Sequence, residues 1–153
     1  MSASASAVET LRLLERVHGH LGWLAAAALL HPAIVLRNPR RRARLSASLA
    51  TVTATLSGGL GAFIYPDYSR TLRRAIYVAS TRHGLLFERK EHLAFAAIAL
   101  AWAGCALHLT ATREQDPSAL ARARAAHLAF VASAALTTLV AAFGTVIASF
   151  RSF

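Results

Sequence analysis

Cysteine is nearly absent. Cys105 stands alone in 153 residues, so no disulfide can close within the chain and no Cys-x-x-Cys-His motif exists to attach haem covalently. Acidic residues are also scarce, with seven Asp and Glu against seventeen Lys and Arg and a formal net charge of +10. Such an excess could point to nucleic acid. Here, however, the basic residues stand in short clusters between long apolar runs, without the aromatic interleaving of single-strand binders. The clusters fit the flanks of membrane helices, where basic side chains set topology and meet headgroups. No basic leader with a short apolar core and cleavage site opens the chain. The segment "MSASASAVETLRLLER" is polar, then amphipathic, and reads as a mature N-terminus. Neither a repeat nor a second domain is evident, so one domain over residues 1–153 is expected.

What is abundant is apolar surface: 56% of the residues are hydrophobic, more than a soluble domain of this size carries. Four segments are long enough to span a bilayer, at approximately 17–36, 45–65, 92–110 and 125–148. Lipid offers no partner to free backbone groups, and the runs are Ala- and Leu-rich rather than alternating, so helices are predicted and a membrane barrel is not. The fold class is therefore all-α, an up-and-down four-helix membrane bundle. "RNPRRRAR", with Pro39, separates the first two spans, and "YPDYSR" ends the second. "QDPSALARAR" opens the fourth, with Asp116 as N-cap and Pro117 in the first turn. Between the second and third spans, Tyr68, Leu72, Ala75, Ile76 and Ala79 recur at helical spacing while Arg70, Arg73 and Arg74 fall elsewhere. That pattern predicts a short amphipathic helix at the interface. The arginines of the compact first loop favour an orientation with loops 1 and 3 cytoplasmic, in a bacterial inner membrane.

Six of the seven histidines lie in or beside the spans. In an up-and-down bundle, His18, His20 and His92 share one depth, and His31, His108 and His127 share the other. At about 100° per residue, His20 and His31 point the same way, about 16 Å apart along the axis, with Leu24 and Ala27 between them. His18 points away from that stripe. Two layers of inward imidazole on different helices are what bis-histidine haem requires. Gly19, Gly22 and Gly104, with the stripe Ser48, Thr51, Thr55, Gly58 and Ala62, offer room for a ring or for close helix contact. "FERKEHLAF" places Glu88 and His92 on one helical face, with Glu91 adjacent. This set suits a non-haem metal, a proton path, or a charged start to a span. Cys105 is a small packing residue, and the Trp and Tyr side chains divide between interfacial anchors and core. His31 before Pro32 predicts a bend or loosened backbone.

With these residues in place, the chain resembles the small four-helix transmembrane cytochromes b with two stacked haems, over roughly residues 17–148. The residues carrying the resemblance are His20, His31, His92 and His127, with His108 as an alternate. The spacing of histidines on the first span does not repeat on the third. The resemblance implies haem b, one or two groups, held by His20 with His92 and by His31 with His127 or His108. Arg16, Arg37 and Arg124 are placed to meet propionates. It also implies electron relay between a membrane quinone pool and a partner protein, as a subunit of a larger complex; a homo-oligomer is a separate expectation. Two other readings stand beside it: a cofactor-free accessory subunit whose histidines hydrogen-bond within the bundle, and a small transporter or metal-handling protein using Glu88, Glu91 and His92.

Overall fold

The computed structural model describes residues 5–111 and 118–150, and every regular element among them is helical. In chain order these are α1 (Ala5–Val35), α2 (Arg44–Tyr68), a π turn (Ser69–Arg73), α3 (Arg74–Ala79), α4 (Thr81–Thr110) and α5 (Ala119–Phe150). Three of them, α2, α4 and α5, are long and apolar enough to cross a membrane. α1 has the length at 31 residues but is not among those three. Its apolar run is interrupted by His18, His20 and His31. Asp116 and Pro117, expected to start the last helix, lie outside the described residues.

α1 packs on α2 and α5, α4 packs on the same two, and α1 and α4 lie diagonally opposite. Contacts of α1 with α2 (Gly22–Ser57), α2 with α4 (Thr51–Ala101) and α4 with α5 (Ala97–Ser133) make sequence neighbours antiparallel. The interior is built from small residues. Ala25, Ala47, Ala50, Ala101, Ala126 and Ala134 are buried, with Leu29 and Phe130 the larger fillers. Leu, Ile and Phe side chains such as Ile34, Leu49, Phe63, Phe95 and Leu128 face outward. Small residues inside and large apolar ones outside is how helices pack closely when the surroundings are as apolar as the core.

Hydroxyls and indoles supply the cross-links. Thr51 Oγ1 donates within its own helix to the Ala47 carbonyl at 2.8 Å and lies 3.3 Å from that of Ala101 on α4. Ser133 Oγ donates to the Ala97 carbonyl at 2.8 Å. Trp23 Nε1–H reaches Thr145 Oγ1 at 3.2 Å, and Trp102 Nε1–H reaches Thr55 Oγ1 at 3.0 Å. Each satisfies a polar group that would otherwise be stranded in an apolar setting.

Two prolines lie inside helices. Pro32 sits inside α1, which continues to Val35 and closes with the Leu36 N–H on the Pro32 carbonyl. α2 runs through Pro66 and ends at Tyr68, within "YPDYSR" as expected, where the backbone widens into the π turn. The missing Pro66 N–H frees the carbonyl of Ala62 one turn earlier, while the π turn follows the proline. α3 is thus a continuation of α2 rather than a separate element, and Ser80, in extended conformation, turns the chain into α4. Of the expected apolar face, Tyr68 and Ile76 are buried, while Ala75 and Ala79 are exposed. Tyr68 and Ile76 join Phe87 and Ile147 in a second apolar cluster beyond the alanine core.

Candidate functional site

The histidines divide by direction. His18 is turned inward from α1, and its Nδ1–H donates to the Ser57 carbonyl of α2 at 3.1 Å. A methyl group at Gly61 would come within 2.8 Å of His18 Cε1, so the glycine leaves the space that the imidazole fills. His108 is only 4% exposed. Its Nε2 accepts the backbone N–H of Ala43 at 3.1 Å, at the start of α2. That N–H belongs to the set a helix start leaves without an intrahelical partner, and the imidazole acts as its cap from another helix. Because Nε2 accepts, the proton of neutral His108 resides on Nδ1.

His20, His31 and His92 are exposed. His20 donates Nδ1–H to the Arg16 carbonyl at 2.7 Å, and His92 donates Nδ1–H to the Glu88 carbonyl at 2.9 Å. Both bonds lie within one helical turn and leave Nε2 as the acceptor nitrogen. His127 on α5 is half-buried, with Nδ1 buried and no hydrogen-bond partner among the described residues. His83 pairs with Ser80 Oγ at 2.8 Å beside the turn into α4.

This reverses the expected direction of the first-helix stripe. His20 and His31 do share a face, but it is the outer one, and His18 on the other side of α1 points in. The inward side of α1 is the one lined by Ala25, Ala26, Leu29 and Ala33. The inward pairing of His20 with His92 is likewise not what the packing produces, since both are exposed and their helices are diagonal. His31 is exposed where His127 is half-buried, and His108 is engaged by Ala43.

A haem inside one bundle needs two inward imidazoles at one depth and a slot between them. The inward pair, His18 and His108, sits at opposite ends of α2, against Ser57 and Gly61 and against Ala43. The glycines do not outline a slot between these imidazoles. A methyl at the exposed Gly19 would meet nothing within 4 Å, one at Gly22 would lie in ordinary contact with Ser57 Oγ at 3.8 Å, and one at Gly104 would meet Phe130 at 3.0 Å. The described residues do not fit a haem enclosed by a single copy of the chain.

Of the two carboxylates in "FERKEHLAF", Glu88 is engaged and Glu91 is half-buried. Glu88 forms an ion pair with Arg73 and hydrogen-bonds Tyr77, which closes the hairpin between α3 and α4. The bonded carboxylate raises the Arg73 guanidinium above its usual pKa. The Tyr77 ring lies against Gly84, where a methyl would approach it to 2.7 Å. Tyr68 stacks on Phe87 at 5.1 Å between centroids, and the Lys90 ammonium lies 5.4 Å from the same ring. Among the described residues, no group of three or more His, Cys, Asp and Glu side chains is arranged to hold a metal ion.

Sequence inspection does not mark His18 and His108 as the interior pair. The signal that could have found them is complementarity of size, with Gly61 opposite His18 and the alanine face of α1 turned inward. Comparison of the chain with protein-family models, curated proteins and solved structures finds no match.

Proposed function

We propose that the protein is an integral-membrane four-helix subunit with an architectural or accessory role in a larger membrane assembly, α1 serving as the fourth span. The observation that carries this reading is how the interior imidazoles are used. His18 and His108 each commit a ring nitrogen to a backbone group of α2, so they act as polar ties between helices. The alanine-rich core supports tight helix packing, and the outward Leu, Ile and Phe side chains suit acyl chains. The arginines of the first loop favour loops 1 and 3 on the cytoplasmic side of a bacterial inner membrane. The helical hairpin around Tyr68, Ile76 and Phe87 would then sit at headgroup level on the side of the termini.

Carbonate extraction of membranes and detergent purification test the reading. The chain should stay with the membrane and, expressed with haem available, show no Soret band. A Soret band that shifts on dithionite reduction would overturn the accessory role.

That outcome would favour a second reading, electron transfer through haem b between quinone and a protein partner. One observation speaks for it: His20 and His92 each donate Nδ1–H to a carbonyl on their own helix, which fixes the ring and leaves the Nε2 lone pair free to ligate a metal. Ligation would then occur at the outer surface, shared with another chain, with Arg16 beside His20 available to a propionate.

A further inference from the structure

The connection between α1 and α2, "RNPRRRAR", holds five arginines in eight residues and no carboxylate. Arg37, Arg40, Arg41, Arg42 and Arg44 are all exposed. The two ends of the bundle differ in what faces their cations. Among the described residues every carboxylate, on Glu9, Glu15, Asp67, Glu88 and Glu91, belongs to the end where α1 and α4 begin and α2 finishes. There Arg73 is paired with Glu88. At the other end, Arg37, Arg40, Arg41 and Arg44 have no side-chain hydrogen bond or ion pair among the described residues. The next connection at that end adds Arg113 with Glu114 and Asp116, outside the described residues.

The loop is held in one shape. Leu36 and Ala43, at its two ends, are buried in the alanine core. Between them the chain turns on Asn38 and Pro39. Asn38 Oδ1 accepts the Arg40 N–H at 3.0 Å, and the Asn38 carbonyl accepts the Arg41 N–H at 3.0 Å. Pro39, between the two, fixes its own backbone angle. The N–H groups of Arg37 and Asn38 close on the carbonyls of Ile34 and Val35, and that of Ala43 is taken by His108. These backbone donors are spent inside the protein, so guanidinium groups are what the loop presents outward. Within two turns of it, Leu30 and Ile34 on α1 and Leu45 and Leu49 on α2 are 49–73% exposed.

We infer that the α1–α2 loop is a binding site for an anionic phospholipid, its phosphodiester held by arginine forks and its acyl chains lying along the outward Leu and Ile side chains of α1 and α2. A guanidinium meets two phosphate oxygens at once with charge-assisted hydrogen bonds. Charge and depth together select the occupant. An acidic protein segment would answer the arginines alone, whereas a lipid answers both them and the apolar side chains beneath them. The role differs from setting topology, which needs only positive charge and is served by lysine as well. A fork needs arginine. The inference rests on the membrane reading proposed above and narrows general headgroup contact to one retained lipid class at one loop.

The test uses the full chain in non-ionic detergent, where orientation in a bilayer no longer matters and any topogenic role drops out. After lipid removal, phosphatidylglycerol or phosphatidylcholine is added back and bound lipid is read by native mass spectrometry. The native chain should hold phosphatidylglycerol at least about ten times more tightly than phosphatidylcholine. A variant carrying Arg37→Lys, Arg40→Lys, Arg41→Lys and Arg44→Lys keeps its charge and should still lose at least about fivefold in affinity for phosphatidylglycerol. A matched variant at the opposite end, with Arg70→Lys, Arg74→Lys, Arg82→Lys and Arg89→Lys, should bind as the native chain does. All eight side chains are exposed, so the fold is retained, which circular dichroism of the lipid-free variants checks. Equal binding of the two lipids by the native chain, undiminished binding by the loop variant, or an equal loss in the matched variant would overturn the inference. Loss of a co-purifying protein from the loop variant, with lipid binding unchanged, would assign the arginines to an acidic partner and overturn it too. Carbonate extraction of the source membranes separates the two failures. Release of the protein refutes the membrane reading, while retention without lipid selectivity refutes the lipid site alone.

Discussion

The bond from Ala43 to His108 makes the sharpest test of how this bundle is held. Ala43 is 7% exposed and His108 4%, so neither group has free access to water. Replacing His108 with Leu keeps most of the volume and removes the acceptor. The Ala43 N–H is then orphaned, at a cost of about 1–3 kcal/mol. Polar contacts in membrane bundles average nearer 0.6 kcal/mol, because the dissociated helices find other partners, so about 1–2 kcal/mol is expected for His108→Leu. His108→Ala adds a packing defect and should cost about 2 kcal/mol more. His108→Gln presents an amide oxygen at a reach similar to Nε2 and should recover most of the loss. The assay is SDS-driven unfolding of detergent-purified protein followed by circular dichroism, with the order of stability native, Gln, Leu, Ala. A neutral His108→Leu, or a Gln variant as weak as Leu, would refute the idea that the imidazole caps α2.

Gly61→Ala should expel the His18 ring and destabilise by about 1–2 kcal/mol, an overpacking cost, in the same unfolding assay. Paired with His18→Ala the loss should be less than additive, because the methyl then meets no ring. Thr51→Val and Ser133→Ala, each removing a hydroxyl hydrogen bond in the core, should each cost about 0.5–1.5 kcal/mol, read from the same transition. Glu88→Gln should leave global unfolding nearly unchanged while raising hydrogen exchange in the α3–α4 hairpin, since the Arg73 pair is exposed. Unaltered exchange there would show that the ion pair does not hold the hairpin closed.

Much of the architecture is legible in the sequence because lipid and water impose simple demands. Apolar length locates three of the helices now seen, and the clustered arginines and Pro39 mark the loop between α1 and α2. Helical periodicity places His20 and His31 on one face, and they do share one. What the sequence does not mark is the π turn after Tyr68, which joins α2 to α3 without a loop. The hairpin of α3 and α4 is hidden because Ile76, Phe87 and Ile147 meet only after the chain has folded back.

Composition and period by themselves thus determined that the chain is helical and largely apolar and that His20 and His31 share one face of the first helix. Only the packing decided which imidazoles face inward. In water, hydrophobicity tells the two sides of a helix apart, but beside lipid both sides are apolar and that distinction vanishes. What remains is size. Alanines and glycines close the interior, Gly61 admits His18, the backbone at Ala43 engages His108, and the broader Leu and Ile face of α1 carries His20 and His31 outward.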